Sequence, residues 1–264
     1  MLGWQADTPD RYCDRCGASI GPHETDEFGC LACRGRRLVW DRVVRVGEYH
    51  GGLAALVKDA KFHARRSTAR GLGRHLGRAL RAAGAATHRV CVVPVPMWIG
   101  RRIARRIDHA AEIAAAVGAE LPGPVVHALS ARHRPSQRSV PASHRPGNVR
   151  GVFRPRRGID LTGWRVVLID DVMTSGATAR QAARALTTIG ARDLWMGVVA
   201  VTPGPDRRAG PPVRGTLAPV AGPRGVETTD PPLDTPGNVG TVAALASGDD
   251  RTPVGVSIAP HTTL

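Results

Sequence analysis

VVLIDDVMTSGATARQAARAL, residues 166–186, decides how this chain is read. An apolar run rich in β-branched residues delivers two adjacent acids, Asp170 and Asp171. A loop of small and hydroxyl residues follows, then an Ala/Arg-rich helix closed by Gly190. Strand, loop and helix in this order form one unit of a parallel α/β sheet. Two neighbouring carboxylates repel, an arrangement tolerated most easily where a ligand or a cation relieves it. Backbone N–H groups of Thr174 to Thr178, turning into a helix N-terminus, suit a phosphate dianion. Gly176 permits close backbone approach, and the hydroxyls of Thr174, Ser175 and Thr178 add donors. The carboxylates cannot hold phosphate; they suit sugar hydroxyls or a divalent cation shared with the phosphate. Taken together, the stretch asks for a phosphorylated ribose. The plainer alternative is a helix capped by Thr/Ser after a strand whose acids are incidental.

Outward from this stretch, other segments fit the same architecture. LWMGVVAV at 194–201 and RVCVVPVPM at 89–97 read as buried strands, the second ending in prolines, and VVHAL at 125–129 reads as a shorter one. Tyr49 to Ala83 spaces Leu53, Leu56 and Val57, then Leu72, Leu76 and Leu80, at helical intervals, which predicts two helices. DHAAEIAAAV at 108–117 predicts another. Alternating strands and helices imply an open, mostly parallel sheet flanked by helices. ARHRPSQRSVPASHRPGNVRGVF, residues 131–153, lacks apolar periodicity and is expected to be a long loop, either functional or disordered. Residues 203–264 hold eleven of the 21 prolines and nine of the 31 glycines, so a disordered tail is expected there.

Four of the five cysteines form two pairs, Cys13-x-x-Cys16 and Cys30-x-x-Cys33, in a polar N-terminal stretch. Four thiolates at this spacing suit a tetrahedral, closed and therefore structural Zn²⁺. His23 is a less economical ligand, since four cysteines already fill the shell. Cys91, inside an apolar run, reads as a small buried hydrophobe.

The formal net charge is +15 and the pI about 11.2, which favours anionic partners. Residues 1–202 carry 32 basic and 16 acidic side chains, so the excess lies outside the tail. Against a functional reading, every basic residue except Lys58 and Lys61 is arginine, a bias a GC-rich genome produces without function. Aromatic content is only 4%, too low for an extended base-stacking surface, although Trp4, Phe28 and Trp40 flank the cysteines. No apolar run long enough to span a bilayer occurs, and the N-terminus lacks the order of a signal peptide, so a cytoplasmic protein without membrane insertion is expected.

VVLIDDVMTSGAT resembles the phosphoribosyl-pyrophosphate motif of type I phosphoribosyltransferases. The order of cysteine pairs, YHGGLAALVKDAKFH, VVPVPM with clustered arginines, SQRSVPASHRPGNVRGVF and DDVMTSGAT further resembles the ComF family of competence-associated, phosphoribosyltransferase-like proteins, over roughly residues 13–201. The resemblance implies a four-cysteine zinc module at 1–42, a phosphoribosyltransferase-like α/β domain at 43–202 and a tail at 203–264. It implies that Asp170 and Asp171 contact ribose hydroxyls while Thr174, Ser175, Gly176, Ala177 and Thr178 cradle the 5′-phosphate. Arg101, Arg105 and Arg106, after Pro94-Val95-Pro96, would face pyrophosphate; alternatively they form a solvated helix face. Where the family commonly reads R-G-F-N-Q, this chain has Arg106-Ile107-Asp108-His109-Ala110. Arg134, Gln137, Arg138, Arg145 and Asn148 match a flexible loop that would close over the site and exclude water.

Three functions follow as expectations. The first is an enzyme transferring a phosphoribosyl group from phosphoribosyl pyrophosphate with Mg²⁺. The second is an accessory protein of DNA uptake or recombination that contacts single-stranded DNA through the zinc module and a basic face. The third keeps the ligand site as a sensor without catalysis.

Overall fold

The computed structural model describes residues 5–62, 65–97, 107–131 and 151–203. Arg101, Arg105, Arg106, Arg134, Gln137, Arg138, Arg145 and Asn148 lie outside the described residues, as does the expected tail beyond Pro203.

Four strands make the central sheet: β3 (Arg42–Glu48), β4 (Val90–Pro94), β7 (Arg165–Met173) and β8 (Asp193–Val201). They are all parallel, in the order β3-β8-β7-β4. Two small antiparallel pairs accompany it, β1 (Thr25–Asp26) with β2 (Gly29–Cys30), and β5 (Leu129–Ala131) with β6 (Phe153–Pro155). The helices are α1 (Gly51–Phe62), α2 (Arg66–Ala82), α3 (His109–Gly118) and α4 (Ala177–Thr187). The open parallel sheet expected from the sequence is present, and both helices expected between Tyr49 and Ala83 form.

Two cores lie on opposite faces of the sheet. Leu53 and Val57 of α1, Leu72, Leu76 and Leu80 of α2, and Ile113 and Val117 of α3 bury themselves against Val44, Val92, Val167 and Ile169. Each such aliphatic side chain contributes about 1.5–3 kcal/mol of transfer free energy. The other core joins Ala179, Ala183 and Leu186 of α4 to Val93, Leu168, Met173 and Val198, with Trp40 and Val43 from the N-terminal side. Helices α2 and α3 pack unusually closely. A Cβ on Gly73 would lie 2.6 Å from the Ile113 carbonyl, and one on Gly77 would lie 2.6 Å from the Glu120 Cβ. The close approach puts the arginines of α2 within reach of two acids. Arg66 and Arg70 pair with Glu112, and Arg78 and Arg81 pair with Glu120. Four of the arginines of α2 therefore serve as intramolecular clamps.

The N-terminal module is tied to β3 by a buried cation. Arg45, 2% exposed, donates to the Gly17 carbonyl at 2.7 Å and Ser19 Oγ at 2.8 Å and pairs with Asp7 at 2.5 Å. Its guanidinium also stacks over Tyr12 at 5.1 Å. The strand RVVRVGE goes unrecognised in a hydropathy reading because Arg45 interrupts its apolar run, although this arginine points into protein.

One expected strand is displaced. VVHAL does not form a strand at 125–129: Val125 only bridges Val92 at the sheet edge, in parallel, before the chain turns and β5 begins at Leu129. Pro124, which has no N–H, and the turn bond from Ala128 N–H to the Val126 carbonyl (2.9 Å) limit the pairing to one residue.

Candidate functional site

In an open parallel sheet, ligands bind beyond the C-terminal ends of the strands, where neighbouring connections diverge. Strand β7 sits between β4 and β8, and its C-terminal half carries Asp170, Asp171 and Met173 to that edge. The Pro94-Val95-Pro96 loop leaves beside it, with Val95 N–H bonded to the Ile169 carbonyl at 2.8 Å.

The two acids are held differently. The Asp171 carboxylate meets the Lys61 ammonium of α1 at 3.0 Å, both side chains being less than one-fifth exposed. The Asp170 carboxylate accepts the Asp171 backbone N–H at 2.8 Å. Burial first, and then the charge of Asp171, push the Asp170 carboxyl up to about 7. Asp108, which caps α3 by accepting the Ala111 N–H at 3.2 Å, lies close enough to add a third negative charge to Asp170's surroundings. Sequence reasoning did not single out Lys61 or Asp108. The signal for Lys61 was available: it is one of only two lysines in a chain that otherwise uses arginine.

Beyond Met173 the chain enters α4 through Gly176, which is in the left-handed region at φ 67° and provides no side-chain cap. A Cβ there would lie 3.3 Å from the Trp40 ring. The first intrahelical bond joins Arg180 N–H to the Gly176 carbonyl at 2.9 Å, so the amides of the first turn remain without helical partners. Thr174, Ser175 and Thr178 are exposed, and their hydroxyls make no hydrogen bond among the described residues. An uncapped helix N-terminus ringed by three idle hydroxyls is chemically suited to phosphate oxygens. The structure thus brings Asp170, Asp171, Thr174, Ser175, Gly176, Ala177 and Thr178 onto one edge. The Asp170 and Asp171 carboxylates on the same strand end are hard oxygen donors of the kind that suits Mg²⁺.

In the N-terminal module the four cysteine sulfurs lie within 4.8 Å of one another. Cys13 and Cys33 are 3.7 Å apart, Cys16 and Cys30 3.6 Å, and Cys30 and Cys33 3.9 Å. A tetrahedron with sulfurs about 2.3 Å from its centre has edges of about 3.8 Å, so the cluster fits Zn²⁺. Burial drives the Cys33 thiol up to about 11, and a metal ion would reverse that preference by stabilising the thiolate. His23 is not among these ligands. Cys91 is fully buried and its thiol is pushed up to about 12 by desolvation, as suits an inert core residue.

Beside the module lies an open cavity of about 620 Å³ lined by Arg15, Gly35, Arg36, Arg37, Leu38, Trp40 and Asp41. Arg180 of α4 is near enough to Arg36 and Arg184 for burial first, and then their charges, to lower its pKa. Arg15, Arg36, Arg37, Arg180 and Arg184 form no salt bridge among the described residues.

An open parallel sheet with an acid pair and a hydroxyl-lined helix start, joined to a cluster of four cysteines, defines an open α/β protein whose N-terminal module could hold a metal ion. No family model matches the chain. It is 27% identical over 190 residues to Competence protein F of Haemophilus influenzae, covering 69% of this chain and 81% of that protein. It is 29% identical over 192 residues to the DNA utilization protein YhgH of Salmonella typhi, covering 68% and 79%. A shorter match, 47% identical over 45 residues, joins it to an adenine phosphoribosyltransferase of Mycobacteroides abscessus, covering 17% of this chain and 25% of that one. A solved structure described as the allosteric regulatory enzyme of purine biosynthesis overlaps 54% of this chain and 30% of that one, at 18% identity and a TM-score of 0.37. These relatives support the ComF-family resemblance carried by the sequence motifs. Among the described residues, no helix is long and apolar enough to cross a membrane.

Proposed function

We propose that this protein binds phosphoribosyl pyrophosphate with Mg²⁺ at the C-terminal edge of the sheet and transfers or senses its phosphoribosyl group. The observation that carries the reading is the pairing of two subsites on one strand-loop-helix unit: carboxylates at Asp170 and Asp171, and an uncapped helix start with exposed hydroxyls at Thr174, Ser175 and Thr178. The first-turn amides and hydroxyls would hold the 5′-phosphate. Asp170 and Asp171 would accept hydrogen bonds from the ribose hydroxyls, orienting the sugar for loss of pyrophosphate from its anomeric carbon. Mg²⁺, when bound, supplies charge neutralisation for the leaving group. Arg101, Arg105 and Arg106 on the pyrophosphate side, and the 132–150 segment with Arg134, Gln137, Arg138, Arg145 and Asn148 as a cover, complete the proposal. Titration calorimetry of the full chain with phosphoribosyl pyrophosphate and Mg²⁺ tests it. Saturable binding that weakens at least about tenfold in Asp171→Asn supports the reading. Its absence from the intact, zinc-loaded protein removes it. Binding without turnover across a panel of acceptors would make the protein a sensor rather than a glycosyltransferase.

A second reading has its own observation. Arg15, Arg36 and Arg37 line the open groove beside Trp40, and Arg180 lies near Arg36 and Arg184; this cationic groove suits single-stranded DNA and would serve a cytoplasmic role in DNA uptake or recombination, a context supported by relatives named Competence protein F and DNA utilization protein. Binding of an oligonucleotide through this groove should fall steeply with salt and weaken in an Arg36→Glu/Arg37→Glu double variant. Salt-independent affinity would remove it.

A further inference from the structure

A carboxylate pair that holds sugar and metal in the liganded state must be stabilised by something else in the free protein. Asp171 and, more weakly, Asp108 add negative charge to the surroundings of Asp170 at this edge. The cation that faces them among the described side chains is Lys61, 3.0 Å from Asp171 Oδ1, with 18% of its side chain exposed. At that distance the ammonium occupies a carboxylate oxygen that a divalent cation would need. A second and independent indication comes from composition. Basic positions in this chain are arginine everywhere except Lys58 and Lys61, and Lys58 is exposed whereas Lys61 is not. A guanidinium grips a carboxylate through two parallel N–H bonds and resists release. An ammonium is a compact point charge on a flexible stem, able to swing away while remaining charged.

We infer that Lys61 is a resident counter-cation of the Asp170/Asp171 pair: it excludes free divalent metal from the carboxylates and must be displaced before metal and sugar can occupy them. Lys61 is thus a positioning residue that makes metal binding conditional on ligand. An anionic phosphorylated ligand arriving at the neighbouring helix start offers the displaced ammonium a new partner, whereas a bare metal ion offers only repulsion. The inference rests on the reading of Asp170 and Asp171 as the ligand site, but its first test does not require phosphoribosyl pyrophosphate.

The experiment measures Mn²⁺ binding to the full, zinc-loaded chain by electron paramagnetic resonance in the absence of any phosphate ligand, for wild type, Lys61→Met and Lys61→Arg. Methionine keeps much of the aliphatic stem and removes the charge, and near-ultraviolet circular dichroism reports whether it folds. Lys61→Gln is the replacement if it does not. Lys61→Met should bind Mn²⁺ at least about tenfold more tightly than wild type, since about 1.4 kcal/mol of competition suffices for that factor. Lys61→Arg should bind no more tightly than wild type, and adding Asp171→Asn to Lys61→Met should abolish the gain. Equal Mn²⁺ affinity in wild type and Lys61→Met, or a gain that survives Asp171→Asn, would overturn the inference. A parallel titration of wild type with Mg²⁺ and phosphoribosyl pyrophosphate separates the two ideas. Failure there with the Mn²⁺ result intact removes the proposed substrate and leaves the counter-cation role standing.

Discussion

The four-cysteine module and the carboxylate edge of β7 pose one electrostatic problem and solve it in opposite ways. Each gathers groups that would bind a metal as anions. In the module, four sulfurs face one another at near-tetrahedral spacing, and among the described residues no cationic side chain bonds to them. At the sheet edge, Lys61 already stands against Asp171, and an exposed loop leads away from the acids toward the helix start. A closed cluster without an internal counter-charge depends on its metal to fold. An open cluster carrying one can fold empty and wait for a ligand. The module therefore reads as architecture and the acid pair as an exchangeable site.

Cys33→Ser breaks the comparison on the side where most is at stake. It should abolish stoichiometric zinc by elemental analysis and unfold the module, because structural zinc supplies on the order of 10 kcal/mol to small domains of this kind. The damage should reach the sheet edge, since the Trp40 ring lies 3.3 Å from where a Gly176 Cβ would be and its indole N–H donates to the Arg15 carbonyl at 2.9 Å. A red shift of tryptophan fluorescence on metal loss would register this. A variant that kept its melting temperature and spectrum without zinc would contradict the architectural role.

Gly176→Ala sharpens the other side. A non-glycine residue at φ 67° costs about 1–2 kcal/mol, and the new Cβ would press on the Trp40 ring at 3.3 Å. The expected result in urea denaturation is a loss of about 2 kcal/mol, together with weaker phosphate-ligand binding and unchanged zinc content. Unchanged ligand binding in a destabilised protein would mean that the helix start is not the phosphate site.

The sequence made most of this edge legible because its chemistry is local. Asp170, Asp171 and the TSGAT loop are adjacent in the chain, and period and spacing report adjacency directly. The sheet's class was legible for the same reason: three of its four strands are uninterrupted apolar runs. What escaped notice depended on contacts far apart in sequence. Lys61 lies 110 positions from Asp171, its ion-pair partner. Strand β3 was hidden by Arg45, whose burial makes sense only once Asp7, Gly17 and Ser19 are folded over it. The placement of charge is non-local for a related reason: a count gives the excess but not that Glu112 and Glu120 each draw two arginines of α2 onto α3 and the turn after it. Arg36 of the module likewise comes near Arg180 of α4, a juxtaposition that no local motif announces.

The smallest expected effect discriminates best between an architectural and an exchangeable site. Asp170 is raised from an ordinary 3.8 to about 7, by burial first and the Asp171 charge second. In the unfolded chain it ionises near 4, so between pH 4 and 7 the native state holds the proton longer than the unfolded state. Stability therefore falls as pH rises through that window; the penalty is absent below pH 4 and complete above pH 7. Asp170→Asn removes the charge while leaving an oxygen to accept the Asp171 N–H. It should therefore stabilise the free protein by about 1–3 kcal/mol at pH 8 and by almost nothing at pH 4, in denaturation curves at the two pH values. With phosphoribosyl pyrophosphate and Mg²⁺ present the order should reverse, since the amide offers one acceptor oxygen where the carboxylate offers two and carries no charge to attract a cation, and the ligand-induced rise in melting temperature should shrink. A group that costs stability when the site is empty and contributes it when the site is filled serves a ligand. Were Asp170→Asn destabilising at both pH values and indifferent to ligand, the acid pair would belong with the cysteines, as part of the framework.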